Sequence, residues 1–504
     1  MDDHTKLGLG LLGAALVMGL LGDLLLRATP WGINVSLWLA LLAGAAAALS
    51  RWRGLEVAGG GRWLVPVALC FAATLAWRDS PVVASLDVLA VLVALSLAAF
   101  RGRRREIRLS GITEYVLAGI YTGTLSSAGP LPVMVKEVRW REVARGRWRG
   151  PALAATRGLF LAVPLLLVFG GLFAAADAVF ETLVVNIFGF DVAELFGHVF
   201  FTLFFAWMVA GLLWVGLLAR NPESLAFPRP AALSLGIVEA GVVLGLLDAL
   251  FLAFVVVQVR YLFGGADRVV ETAGLTYAEY ARHGFFELVA VAALALPLLL
   301  LVHWLLRAEN RAHRRVFGTF SCAMVALLFV VVASALQRMY LYTQEYGLTE
   351  LRLYSTIFMV WLSIVLAWFL LTVLRGRRDS FALGVVTTGF ISIFLINAMN
   401  PDALIARVNV DRMEAGKRFD AHYLTALSAD AVPAMIEALP AMNEEDRHVV
   451  EDHLEDFSRW SSEDRDWRTW NLSRTRAQYL IEATQKPATG ARSTAQSSGP
   501  HATR

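Results

Sequence analysis

Charge is scarce in this sequence. Of its 504 residues only 17% are Asp, Glu, Lys or Arg, against about 25% in an ordinary soluble domain. A soluble fold needs more polar surface than that to face water, so a soluble enzyme is disfavoured. Cysteine is scarcer still. There are two, Cys70 and Cys322, both in apolar runs. This excludes a disulfide-stapled scaffold and argues against a metal site, and both thiols are expected to be buried as small apolar side chains. A surplus of one charge sign is also missing: the formal net charge is +3, which offers little to a nucleic acid. The chain has no Walker A sequence, no H-E-x-x-H, no G-x-S-x-G and no C-x-x-C. P-loop chemistry, zinc hydrolysis and the commonest serine-hydrolase arrangement lose their usual signatures. Gly8, Gly10 and Gly13 match G-x-G-x-x-G, but within an apolar run rather than after a strand, so dinucleotide binding is set aside. No cofactor and no metal are expected.

What is plentiful is apolar. The AVILMFWYC set makes up 57% of the chain, with 29 Phe and 15 Trp. The charge that exists is unevenly placed. Residues 1–400 carry 32 basic and 25 acidic side chains, whereas residues 401–504 carry 13 and 17. Charge density doubles and its sign flips near residue 400, which predicts a membrane body followed by a water-exposed tail. A membrane helix needs about 20 mostly apolar residues. Eleven runs qualify, near 7–26, 33–50, 63–77, 81–100, 158–176, 197–219, 236–259, 284–306, 316–337, 354–374 and 380–398. The third is short and the second is rich in Ala and Gly.

The expected fold is therefore all-α: a polytopic transmembrane bundle of about 11 spans with a small C-terminal extracytoplasmic helical module. Its parts are membrane helices over 1–100, a basic cytoplasmic or interfacial segment over 101–150, the main bundle over 151–400, the module over 401–484 and a disordered tail over 485–504. Short loops rich in Lys and Arg stay in the cytoplasm. Eleven basic residues in 101–150, Arg307 to Arg315, and Arg375 to Arg378 alternate with basic-poor loops such as 177–196. This predicts a cytoplasmic N-terminus and a tail outside, in a bacterial inner membrane. The lipid bilayer is the first partner. Residues 136–149, with Lys136, Arg139, Trp140, Arg141 and Trp148, read either as an interfacial helix drawn to anionic lipid or as an ordinary positive-inside loop. The module over 401–484 is a candidate surface for an extracytoplasmic protein partner. Ser428 and Asn443 are expected helix N-caps there, and Val449, Val450, Leu454 and Phe457 recur at helical spacing.

Ionisable groups inside spans are expensive and usually face a bundle interior or a wet cavity. Asp248 falls near the middle of the seventh span, either as a carrier of a proton or cation or as a hydrogen-bonded lock between helices. His198 and His303 lie near span ends, and Asp23 and Arg27 are spaced to pair. Gly241 and Gly245 allow close helix contact. A hairpin repeat is the clearest internal signal. Phe254-Val-Val-Val, Gln258, Arg260, Tyr261-Leu262 and Gly274-Leu275-Thr276 correspond to Phe329-Val-Val-Val, Gln337, Arg338, Tyr340-Leu341 and Gly347-Leu348-Thr349. Arg260 and Arg338 are expected to end the outgoing helices, Thr276 with Glu279 and also Thr349 to cap the returning ones, and the tyrosines to form an interfacial belt. The repeat reads as structural stapling or as an outer-face site in which Arg282, Glu287, Arg338, Glu345 and Arg352 surround a polar ligand or an anionic headgroup.

Three runs carry a family resemblance: Tyr277 to Leu288, Tyr346 to Tyr354, and Arg157-Gly158 through Pro164 to Phe180. With Trp467-Arg-Thr-Trp-Asn-Leu-Ser-Arg474, they make residues 150–480 resemble the bacterial membrane family catalogued as domain of unknown function 4173. That resemblance implies a polytopic inner-membrane protein and no established activity. The expected role is a non-enzymatic envelope protein, sensory or scaffolding. The alternatives are a transporter of a small solute or ion using Asp248, and a membrane lipid- or glycan-modifying enzyme.

Overall fold

Long uninterrupted runs of apolar residues with few prolines close their own backbone hydrogen bonds as helices, and helices dominate the described residues. A computed structural model describes residues 2–54, 63–99, 112–140, 192–219, 234–262, 285–306, 311–463 and 466–485, with scattered positions from 158 to 177. Among the described residues there is no named strand, only an isolated bridge between Leu235 and Leu306. The helices are α1 (Asp3–Leu26), α2 (Ile33–Arg53), α3 (Leu64–Leu75), α4 (Pro81–Ala99), α5 (Ile112–Ser127), α6 (Val192–Leu217), α7 (Ile237–Leu262) and α8 (Phe285–Leu305). They continue as α9 (Arg311–Tyr346), α10 (Glu350–Thr372), α11 (Arg378–Met399), α12 (Pro401–Glu414), α13 (Ala421–Thr425), α14 (Val432–Ala438), α15 (Glu444–Glu463) and α16 (Leu472–Gln485).

Nine of the described helices are long and apolar enough to cross a membrane: α1, α2, α4 and α6 to α11. The chain is a multi-pass membrane protein by this measure. Helix α3 differs from the expected third span. Its 12 residues reach about 18 Å, well short of the roughly 30 Å hydrocarbon thickness. The expected span over 158–176 lies largely outside the described residues, as do Arg141 to Arg149, the Thr276–Glu279 cap and residues 486–504.

The chain divides into two compact units, and each has its own internal logic. The first comprises Met1–Ala76, Leu86–Pro228 and Trp368–Phe390. Here α1 packs along α6, and small residues set the approach. A side chain at Gly19 would strike Thr202 and Ala206, and one at Gly22 would strike Phe205. Gly8 and Gly10 of the glycine fingerprint lie in this same helix and face Val138 and Trp52, which is packing and not phosphate binding. Asp23 pairs across the contact with His198 Nδ1 at 2.5 Å, in place of the expected Arg27. Lys136 sits over the Trp214 ring at 5.6 Å, and Arg139 reaches Asp2 at 3.5 Å.

The second unit comprises Trp77–Ser85, Arg229–Ala367 and Ile391–Arg504. The two outgoing helices of the repeat, α7 and α9, pack together. Phe320 of α9 lies against Gly241 and Gly245, as G-x-x-x-G spacing predicts. Farther along, Gln258 Oε1 accepts from Ser334 Oγ at 3.0 Å and from Arg338 Nη2 at 2.9 Å. Helices α12 to α16 bury their own core, including Ile405, Leu424, Met435, Val450, Leu454, Ala477 and Ile481, with Leu353 of α10 added to it. Val449 and Phe457 pack on its edge. Asn443 forms the expected cap, accepting from Asp446 N at 2.8 Å, and Ser428 Oγ accepts from Asp430 N at 3.4 Å.

The two cysteines are free but lie on exposed helix faces, Cys70 on α3 and Cys322 on α9. The expectation of burial fails because an apolar run does not identify an inward face when the outward face also borders lipid.

Candidate functional site

The site begins with a helix end that needs capping. The last four carbonyls of an α-helix have no partner within it. Helix α9 ends at Tyr346, and Gly347 turns the chain with φ +82°, a left-handed conformation that favours glycine. Arg412 of α12 closes the end. Its guanidinium donates to the carbonyls of Thr343 at 3.3 Å, of Gln344, and of Glu345 at 2.9 Å. Asn409, one turn earlier on α12, clamps the linker from both sides: its Oδ1 accepts from Leu348 N at 2.9 Å and its Nδ2 donates to Leu348 O at 2.8 Å. The returning helix α10 is met at its start by Tyr423, whose hydroxyl accepts from Glu350 N at 2.8 Å. Arg352 folds back on the same turn. Its guanidinium donates to Gly347 O and lies 4.0 Å from the centroid of the Tyr342 ring.

A cleft of about 500 Å³ opens between this turn and helices α13 and α15. The turn supplies Glu345, Tyr346, Leu348, Thr349 and Arg352 to its wall, and α12 supplies Asn409. The opposite wall carries Arg418 to Tyr423, with Glu445, Asp446 and Val449. Burial raises the Tyr423 phenol above its ordinary range, an effect opposed by its bond to the Glu350 backbone, so it stays protonated. Asp420 spends one oxygen on Tyr423 N at 2.9 Å, and Asp446 accepts from Asn443 Nδ2 at 2.7 Å. Among the described residues no cluster of three or more His, Cys, Asp or Glu could hold a metal ion.

A second polar cluster fastens the loop between α3 and α4. Asp430 is the hub: Arg78 Nη1 lies at 3.1 Å, and Asp430 also accepts from Asp79 N at 2.8 Å and Ser473 Oγ at 2.6 Å. Asp79 pairs with Arg474 at 3.4 Å and accepts from Ala429 N at 3.3 Å. Asn471 Nδ2 donates to Arg78 O at 2.8 Å and Arg78 Nε to Asn397 O at 2.8 Å, while Trp77 O, 2.8 Å from Ser473 Oγ, is the alternative acceptor for that hydroxyl's one proton. Asp402 accepts from Ser428 Oγ at 2.5 Å and Ser80 Oγ at 3.4 Å. Burial pushes the Asp79 carboxyl up to about 6, against the pull of Arg474, and raises that of Asp402. Buried in this way, the cluster is a structural latch.

The sequence candidates scatter. Glu345 and Arg352 line the cleft. Arg338 does not: it is buried in the α7–α9 contact. It was expected at a helix end, but α9 runs eight residues farther to Tyr346, and Arg412 supplies the cation there. Glu287 is exposed in the first turn of α8, away from the cleft lining. Arg282 lies outside the described residues. Asp248 is in α7, its two carboxylate oxygens shut from solvent and without a hydrogen-bond partner among the described residues. The helix lock expected there is ten residues on, at Gln258. Sequence reasoning missed Asn409, Arg412, Arg418 and Tyr423, as well as the whole latch.

Comparison with known families decides the relationship. A match to the family described as Domain of unknown function (DUF4153) covers residues 65–438. The chain belongs to this family. DUF4153 is not the family numbered 4173 that the motifs resemble, and the match begins near residue 65 instead of 150. What the two share is an uncharacterised family. The DUF4153 match includes Arg78, Asp79, Asp402 and Asp430 of the latch and Asn409, Arg412 and Tyr423 of the cleft. It stops before Glu445, Asn471, Ser473 and Arg474. No curated protein and no solved structure matches the chain.

Proposed function

We propose that this protein is a non-enzymatic scaffold or sensor of the bacterial inner membrane. Its membrane body holds the α12–α16 module on the extracytoplasmic side, with the module as the partner-binding part. The observation that carries this reading is the doubled fastening of the module. Asn409 and Arg412 grip the α9–α10 turn, and Asp430, Asn471, Ser473 and Arg474 grip the α3–α4 loop. Fastening of this kind fixes where a surface is presented. The basic loops before α9 (Arg307 to Arg315) and before α11 (Arg375 to Arg378) support the module's side of the membrane. The test replaces Cys70 and Cys322 with Ala and introduces Arg459→Cys on exposed α15. A membrane-impermeant maleimide is expected to label intact spheroplasts, and crosslinking from the same position to capture a partner. Labelling only after lysis would overturn the orientation, and a clean preparation with no crosslink under mild detergent would overturn the scaffold.

A second reading rests on Asp248. A carboxylate secluded in a span, without a hydrogen-bond partner among the described residues, is where a transporter would bind a proton or cation. It predicts that Asp248→Asn abolishes solute or proton flux in proteoliposomes while protein abundance is unchanged. Unaltered flux removes this reading.

A further inference from the structure

Three properties of the cleft at the α9–α10 turn define what fits it. The first is depth. The turn joins two helices that are long and apolar enough to span, and the 36 residues of α9 outrun a hydrocarbon layer of roughly 30 Å, so its end at the cleft stands on the headgroup side of the hydrocarbon. Tyr340 and Tyr346 are exposed at that level, the usual place for an aromatic belt. The second is charge of both signs left open. Arg418, Glu345 and Glu445 are exposed cleft residues with no ion pair or side-chain hydrogen bond among the described residues. A simple anion placed here would meet Glu345, Asp420, Glu445 and Asp446, and a simple cation would meet Arg352 and Arg418. Only a ligand with both charges answers both walls. The third is preorganisation. Arg352 is already held by the Gly347 carbonyl and the Tyr342 ring, and the Tyr423 hydroxyl, having accepted from Glu350 N, keeps its proton to donate. Groups ordered beforehand cost little to order on binding. The volume, about 500 Å³, suits a small ligand.

We propose that the cleft binds a zwitterionic phosphate ester, its phosphate on Arg418, Arg352 and the Tyr423 hydroxyl and its ammonium between Glu345 and Glu445. The chemistry is that of an aminoalkyl phosphate, available as a phospholipid headgroup or as the free ester. The site rests on α9 and α10 crossing the membrane and is independent of any protein partner.

The test uses the full chain, delipidated in mild detergent and titrated by native mass spectrometry with phosphatidylethanolamine, phosphatidylglycerol and free phosphoethanolamine. Phosphatidylethanolamine is expected to bind more tightly than phosphatidylglycerol. Arg418→Gln and Glu445→Gln, both on exposed positions, are each expected to weaken it about tenfold, the effect of one charge-assisted contact. Glu445→Gln should also narrow the preference over phosphatidylglycerol. Competition by free phosphoethanolamine at similar concentration assigns the site to the soluble ester, and its failure to compete assigns it to the lipid. Equal binding of the two lipids by the unaltered protein would overturn the proposal whether or not the variants fold. So would affinities unchanged in both variants.

Discussion

Removal of the Asp430 carboxylate should loosen the latch. In Asp430→Ala, Arg78 loses its carboxylate at 3.1 Å, Asp79 N loses an acceptor at 2.8 Å and Ser473 Oγ loses one at 2.6 Å. The Asp430 side chain is 1% exposed and that of Arg78 is 11% exposed, so water replaces little of what is lost. Removing one member of a buried pair costs about 3–5 kcal/mol. Part is returned, because Asp430 also repels Asp79 and Asp402, so the lower end, about 3 kcal/mol, is expected. That is roughly a hundredfold in the opening equilibrium. Limited trypsin digestion reads it, since cleavage tracks the open population when reclosing is faster than cutting. Cleavage between residues 401 and 485 should accelerate by about two orders of magnitude. Arg78→Met added to Asp430→Ala removes the stranded guanidinium and should recover at least about 1.5 kcal/mol, a coupling that a double-mutant cycle isolates. Digestion of Asp430→Ala within twofold of the unaltered protein, or strict additivity in the cycle, would refute the latch.

Acidity should tighten the same cluster. Asp79 titrates near 6 in the folded protein, against an ordinary value of 3.8, so folding favours its protonated form. The associated stability is fully present below about pH 4 and is lost as pH rises through 6, with a ceiling of about 3 kcal/mol for a shift near two units. The raised carboxyl of Asp402 acts in the same direction. Trypsin digestion should therefore run faster at pH 7.5 than at pH 5.5 after correction for the enzyme's own profile, and Asp79→Asn should flatten the difference. At the turn, Gly347→Ala would force a side chain into a left-handed conformation, with its Cβ 2.6 Å from Asn409 Oδ1. A loss of about 1–3 kcal/mol is expected, seen as a lower melting temperature and faster cleavage after Arg418.

How far these features could be read from the sequence depended on how local their causes are. The spans of α1, α2, α4 and α6 to α11 follow from composition within about 20 consecutive residues. Helices α12 to α16 follow from caps such as Asn443 and from the spacing of Val450 and Leu454. Glu345 and Arg352 were found because repeat and tyrosine pattern drew attention to one turn. The latch was illegible. Arg78 and Asp430 are 352 positions apart; Arg78, just past an apolar run, reads as one more interfacial charge, and Asp430, in the polar module, as one more surface carboxylate. Arg338 misled for a related reason. A cation after an apolar run resembles a helix terminus, whereas the terminus lay two turns farther on and was capped by a residue from another helix.

The length of α9 has a mechanical consequence. Its 36 residues make a rod of about 54 Å, nearly twice the roughly 30 Å hydrocarbon layer. No proline interrupts it, although its neighbour α8 carries Pro297. One end begins at Arg311, followed by Arg314 and Arg315, and the other is gripped by Arg412. A spanning helix without a joint is a lever. A force that tilts the module through Arg412 would carry along the arginine-bearing end as well, since no proline within α9 lets it bend between the two.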